Sequence, residues 1–310
     1  MCADRVLVIR HGALGDLVQS MGPFEAIRAH HPGAQITLLT APAFAMFMRN
    51  CPWFDRVWQD HRPGWHQIAE WLHLRRRLAE GGFGRVYDLQ TSSRSSLYIH
   101  AFPRRRRPEW SGIAPGASHL HGNPERDRMH TMERQAEQLA IAGIEQVPPP
   151  DLSWVSADAA RFELLRPYAL LAPGGSAHRP GKRWPADYYL ALCQRLLAAS
   201  IQPVLIGGGD EVVLNRVLAE QCPGARDLAD RTSIEDLAVL ARDASLAVGN
   251  DTGPMHLATA SGCPAVVLFS DQSDPKLCAP RGARVSILRE PDLAALGVDQ
   301  VWAAVQKLGA

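Results

Sequence analysis

The sequence predicts an α/β protein of two doubly wound domains, each a parallel sheet covered by helices. Three observations lead there. Short apolar runs alternate with stretches of helical periodicity almost from end to end, the pattern of parallel strands joined by crossover helices. The chain has 310 residues and is 46% hydrophobic, enough for two ordinary cores. Near the middle, "QVPPPDLSW" (146–154) breaks the alternation, because three successive prolines forbid a helix and favour a stiff extended link. The expected domains are 1–150 and 151–310.

In the first half the runs "RVLVI" (5–9), "QITLL" (35–39), "DRVWQ" (55–59) and "GRVYDL" (84–89) read as strands, with helices near 17–30, 65–80 and 130–143. In the second half the strands are "YALLA" (168–172), "QPVLIG" (202–207), "SLAVG" (245–249) and "PAVVLF" (264–269). Helices near 186–199, 210–221, 234–242 and 254–261 connect them. The closing stretch "PDLAALGVDQVWAAVQKLGA" reads as one or two helices that pack back across the seam onto the first domain. Doubly wound domains bind ligands at the carboxyl ends of their strands, so function is expected in the loops that follow strands, around one cleft.

No stretch approaches the roughly eighteen uninterrupted apolar residues of a membrane span, and "MCADRVLVIR" lacks the basic stretch and long apolar run of a secretory signal. A cytoplasmic location is the expectation. Six cysteines lie scattered with no C-x-x-C pair and no zinc-ligand spacing, so they read as reduced and mostly buried. Net charge is +1, but residues 1–150 carry 18 arginines, no lysine and 14 acids, and residues 151–310 carry 15 basic residues against 18 acids. Ten of the twelve histidines also fall in the first half. That half either meets something anionic or wears its arginines on solvated faces.

Four strand-to-helix loops carry candidate chemistry. In "RHGALGD" (10–16), Gly12 and Gly15 permit tight turns and close approach of a ligand, and Asp16 stands where a helix N-cap is expected. Spacing alone leaves Asp16 as either a cap or a working carboxylate. In "APGGSAHRPGKRWP" (172–185), glycines accompany Ser176, Arg179, Lys182 and Arg183, a set suited to a diphosphate or to a solvated loop. "IGGGDE" (206–211) reads as a tight turn that also lets a ligand lie against the backbone. In "VGNDTGPMHLA" (248–258), Asp251 and Thr252 precede a helix opened by Gly253 and Pro254, with His256 in its first turn, so free N–H groups and the helix dipole offer a phosphate site. There is no Asp-x-Asp pair of the kind that holds a divalent metal on a nucleotide diphosphate.

"RHGALGD", "PGGSAHRPGKRWP" and "GNDTGPMHLA", in that order and spacing, make the chain resemble glycosyltransferase family 9, which contains the ADP-heptose:lipopolysaccharide heptosyltransferases. The resemblance runs from about Arg5 to about Ser270 and implies a GT-B fold, two Rossmann-like domains facing a central cleft. It implies an acceptor-binding first domain and a nucleotide-sugar-binding second domain. It also implies that Asp16 is the general base and that Lys182, followed by Trp184 and Pro185, contacts the donor phosphates. Asp251, Thr252, Gly253 and His256 would belong to the donor site, with Ser176 and Arg179 beside them. Arg10, His11 and Gly12 would meet the acceptor, His11 being the alternative base.

The chemistry agrees with these roles. An acceptor hydroxyl needs a base as its bond to the anomeric carbon forms, and the departing diphosphate gains charge that Lys182, Arg179 and the helix near Gly253 would stabilise. The expectation is an inverting, metal-independent glycosyltransferase with no cofactor, moving a heptose from ADP-heptose to a lipopolysaccharide inner core. The partners would be a nucleotide-sugar donor, an anionic glycolipid acceptor and the inner membrane surface, with no nucleic acid. The arginine runs "HLRRRL" (73–78) and "FPRRRRPEW" (102–110) suit either the acceptor or that surface. The competing readings are a family 9-type enzyme with another nucleotide sugar or acceptor, and a noncatalytic nucleotide-sugar-binding protein. A nicotinamide-dependent dehydrogenase would need G-x-G-x-x-G after its first strand, and "HGALGD" does not supply it.

Overall fold

The computed structural model describes residues 4–64, 66–175 and 180–309. The chain divides into two compact units, Met1–Pro150 and Asp151–Ala310.

The first unit opens with β1 (Arg5–Ile9), the short helix α1 (Leu14–Val18), α2 (Met21–His30), β2 (Gln35–Thr40), α3 (Pro42–Met48) and β3 (Arg56–Gln59). It continues with α4 (Ile68–Glu80), β4 (Arg85–Asp88), α5 (Ser93–Leu97), β5 (Glu109–Gly112), β6 (His119–Leu120) and α6 (Thr131–Ile141). Its sheet runs β3-β2-β1-β4-β5-β6, every pair parallel. The apolar runs form the central strands because a parallel strand covered by helices on both faces is buried along its whole length. Val6, Leu7, Val8 and Ile9 are accordingly fully buried.

The second unit contains β7 (Tyr168–Ala172), α7 (Ala186–Ala198), β8 (Gln202–Leu205), α8 (Val212–Gln221), β9 (Arg226–Asp227) and α9 (Ile234–Asp243). After these come β10 (Leu246–Asn250), α10 (Gly253–Ala260), β11 (Ala265–Phe269), α11 (Pro275–Cys278), β12 (Val285–Arg289) and α12 (Val298–Lys307). Its order, β12-β11-β10-β7-β8-β9, is again wholly parallel and repeats the topology of the first sheet. Helix α12 packs on α7 and β11 of its own unit. Its Val301, Ala304 and Val305 join the core around Trp184 and Leu192.

Both sheets have a point where the strand order reverses, between β1 and β4 in the first and between β7 and β10 in the second. Loops diverge there and leave a crevice at the carboxyl edge. Three of the candidate loops follow β1, β7 and β10 and so lie at these two points. Four strands beyond the sequence reading complete the sheets, β5, β6, β9 and β12, and α1 and α2 replace one continuous helix. The break falls at Gln19 and Ser20, where the Ser20 hydroxyl donates to the Asp16 carbonyl at 2.8 Å.

Candidate functional site

The loop after β1 is shaped by Gly12, whose φ of +94° is costly for any other residue, and an added Cβ would stand 2.5 Å from a Phe44 ring carbon. Ala13 is the N-cap of α1 and makes no side-chain cap bond, so Asp16 is the third residue of the helix and not its cap. Its carboxylate is 47% exposed. Arg10, by contrast, is buried. Its Nη1 donates to the Leu89 carbonyl at 2.7 Å, its Nε and Nη2 donate to the Asp16 carbonyl at 3.3 and 3.0 Å, and Nη2 stands 3.3 Å from Asp16 Oδ1. One guanidinium thus ties the loop after β4 to the first turn of α1 and braces the Asp16 side chain from below.

His11 is buried too. Its backbone N–H donates to Gln90 Oε1 at 2.8 Å, and its Nε2 lies 2.9 Å from Asp60 Oδ2. The Tyr98 hydroxyl donates to the same Asp60 oxygen at 2.5 Å, and the Arg62 amide donates to Oδ1 at 2.7 Å. Burial alone would raise the Asp60 pKa, but His11, Tyr98 and Arg62 overcome it and hold the carboxyl at about 2. Asp88, at the end of β4, is the opposite case. Its Oδ1 accepts from the Thr91 amide at 3.1 Å. Burial pushes this carboxyl up to about 7, against the pull of Ser95, the Thr91 and Gln90 amides, and Arg10. Of the residues expected at the acceptor, Arg10 is buried against Asp16, His11 is buried against Asp60, and Gly12 shapes the loop between them.

In the second unit the loops after β7 and β10 are joined by Asn250, which is fully buried. Its Nδ2 donates to the carbonyls of Pro173 and Gly174 at 2.9 and 2.8 Å, and its Oδ1 accepts from the Trp184 amide at 3.1 Å. Trp184 is an anchor: its indole N–H reaches the Leu296 carbonyl at 2.7 Å. This framework brings Lys182 to Asp251, Nζ to Oδ2 at 2.7 Å, where the Ser273 hydroxyl also donates at 2.7 Å. His256 Nε2 lies 3.6 Å from Asp251 Oδ1. Burial works to raise the Asp251 carboxyl, and His256, Lys182 and Ser273 together hold it at about 2. It is a fixed anion that orders its neighbours. Thr252 is the N-cap of α10 without a side-chain cap bond, its hydroxyl donating to the Asn250 carbonyl at 3.2 Å, and Gly253 and Pro254 open the helix. Ser176 and Arg179 lie outside the described residues.

Beside Thr252 is a cavity of about 240 Å³ with an apolar wall of Ala172, Ile206 and Leu237 and a polar wall that includes Glu211, Asp230 and Thr232. Glu211 straps two loops together, accepting from the amides of Gly175 at 2.9 Å and Gly208 at 2.8 Å. The same residue explains Gly174 and Gly207, where an added Cβ would collide with its side chain at 2.0 and 2.7 Å. Among the described residues no three His, Cys, Asp or Glu side chains converge as metal ligands.

Sequence reasoning missed Asn250, Glu211, Ser273, Asp60 and Asp88. Asn250 and Asp88 had one usable signal: each is a polar residue closing an apolar strand at a switch point. Ser273 and Asp60 had none, since their partners are distant in the chain.

Residues 71–297 match the family model described as glycosyltransferase family 9 (heptosyltransferase). The chain is 26% identical over 309 residues to lipopolysaccharide heptosyltransferase 2 of Salmonella typhimurium, covering 92% of this chain and 88% of that protein. It superposes on the Escherichia coli ADP-heptose LPS heptosyltransferase II with a TM-score of 0.82 at 22% identity, over 98% of both chains. On the Escherichia coli heptosyltransferase WaaC with ADP the TM-score is 0.79 at 21% identity, over 98% of this chain and all of that one.

Proposed function

Because the chain belongs to glycosyltransferase family 9, we propose that it transfers a heptose from ADP-heptose to a lipopolysaccharide inner-core acceptor, with inversion at the anomeric carbon and without a metal. The acceptor and its hydroxyl lie against Gly12. Asp16 takes the hydroxyl proton as the oxygen attacks, the bond from the anomeric carbon to the diphosphate oxygen breaks, and ADP leaves. Attack opposite the leaving group inverts the configuration. Lys182, the N-terminus of α10 at Thr252 and Gly253, and His256 meet the charge that grows on the diphosphate. The adenosine occupies the cavity beside Thr252, its ribose hydroxyls toward Glu211 and Asp230 and its base against Ile206 and Leu237.

The observation that carries this reading is the Arg10 brace. An exposed carboxylate held by a buried guanidinium with three hydrogen bonds to main-chain carbonyls is oriented for work on something outside the fold, and a cap would have faced its own helix. Residues 1–150 carry the acceptor and residues 151–310 the donor. A cytoplasmic site of action fits a soluble nucleotide-sugar donor, and no helix among the described residues is long and apolar enough to cross a membrane.

The test is incubation of the full chain with ADP-heptose and a heptose-deficient core glycolipid in EDTA, following ADP release and product mass. A product heavier by one heptose, with one ADP released per transfer, is expected. Donor binding without transfer to such acceptors would overturn the acceptor assignment, and no donor binding would overturn the donor.

A further inference from the structure

The two arginine runs, some thirty residues apart in the chain, meet at one apolar surface that the transfer chemistry does not use. Helix α4 buries only Leu74 and Leu78. On its other side, Ile68, Leu72, Arg75, Arg76 and Ala79 follow one another at spacings of four, three, one and three and therefore form a single stripe. All five are exposed, Ile68 at 65% and Leu72 at 56%. Across from the stripe, at the end of α5, Leu97 is 58% exposed. Between them runs a groove of about 480 Å³ with Trp71, Leu72, Leu78, Leu97 and Tyr98 on its walls and Arg75 and His100 at its rim. Three residues past Ala101, which also lines the groove, Arg104, Arg105 and Arg106 form a short exposed turn.

An outward-facing row of isoleucine and leucines exposes apolar surface that a solvated helix would not keep. The unpaired charge beside these side chains is carried by arginines. Arg76 is paired with Glu80 at 2.7 Å, while Arg75, Arg104, Arg105 and Arg106 have no ion-pair partner among the described residues. Apolar side chains ringed by unpaired arginines match the boundary between acyl chains and anionic headgroups, where insertion and charge attraction act together and neither alone holds a protein firmly. A second copy of this chain fits poorly, since a face-to-face pair would bring both arginine clusters together. We infer that the surface formed by Ile68, Leu72, Leu97 and Arg104–Arg106 docks the chain on an anionic phospholipid bilayer.

This deepens the proposal of a glycolipid acceptor by naming the face turned to the lipid, and it is tested without a sugar donor. Full-length protein is sedimented with vesicles of phosphatidylcholine alone and with an equal mixture of phosphatidylcholine and phosphatidylglycerol, at low and high salt. Binding to the mixed vesicles alone, weakened by salt, is expected. Each near-surface arginine contributes on the order of a fivefold gain in partitioning, so replacing Arg104, Arg105 and Arg106 by Glu should lower it by about a hundredfold or more. Leu72→Ser with Leu97→Ser should lower it severalfold, with the urea midpoint of both variants unchanged because these side chains are exposed. Transfer to a delipidated, soluble core acceptor should match wild type in both variants.

Absence of vesicle binding, equal binding to neutral vesicles, or variants that bind like wild type would overturn the inference. So would a leucine-dependent dimer in sedimentation velocity, which would assign the groove to a second copy. Loss of transfer to the soluble acceptor would assign it to acceptor recognition and overturn it too. If wild type binds vesicles as expected but transfers no heptose, the bilayer surface stands and the proposed reaction fails.

Discussion

Arg10 Nη2 lies 3.3 Å from Asp16 Oδ1, and the same guanidinium donates to the Asp16 and Leu89 carbonyls. In the proposed mechanism the buried partner positions and the exposed one reacts. Arg10→Lys keeps a charge but cannot serve both carbonyls and the carboxylate, because an ammonium lacks the planar fork. We expect kcat to fall by about ten- to a hundredfold with ADP-heptose affinity unchanged, and stability to fall by about 1–3 kcal/mol from the buried Leu89 carbonyl left without its donor. Steady-state kinetics beside donor calorimetry and urea unfolding separate these effects.

The proposed mechanism puts Lys182 at the donor phosphates, and its ammonium lies 2.7 Å from Asp251. Lys182→Ala removes a charge-assisted contact to a phosphate, which is worth about 1.5–3 kcal/mol, so the dissociation constant for ADP should rise by about ten- to a hundredfold. Asp16→Asn should leave it unchanged. An ADP titration of the two variants side by side makes the comparison, and equal affinity in Lys182→Ala would remove Lys182 from the phosphate site.

Asp88 gives stability a pH dependence of known sign. Below about pH 4 both folded and unfolded chains keep its proton. The unfolded chain releases it near 3.9 and the folded chain holds it to about 7. The folded state therefore loses stability as pH rises through this window, by at most about 4 kcal/mol, and stays at the lower level above it. His31, pushed down to about 4 by burial and by neighbouring His30, Arg85 and Arg28, produces the opposite slope. The wild type alone therefore does not isolate Asp88. Asp88→Asn does: its urea stability relative to wild type should be higher at about pH 8 than at about pH 5. No change in that difference between the two conditions would contradict the raised pKa.

Much of this was legible in the sequence where burial is uniform. The runs at β1, β2, β7, β10 and β11 are continuous because helices cover both faces of those strands. The strands β6 "HL" and β9 "RD" were not legible, since two residues at a sheet edge are too few to show a period, and β5 "EWSG" is nearly as mute. For the site, the loops could be read but the direction of each side chain could not. The resemblance assigned Arg10 and His11 to the acceptor, but their burial was not legible, because the groups that bury them, Leu89, Gln90 and Asp60, are 49 to 79 residues away. Asp16 looked like a cap because the first turn of α1 begins one residue after Ala13, a residue with no capping side chain to mark the boundary.

The central claim is that Asp16 accepts the acceptor proton. Its most direct test is Asp16→Asn, which keeps the shape and removes the base, measured for heptose transfer in EDTA beside calorimetric binding of ADP-heptose. The account predicts a fall in kcat of about 10²–10⁴-fold with donor affinity unchanged. Turnover at the wild-type rate in Asp16→Asn would contradict it and move the base to another residue, with His11 the first to examine.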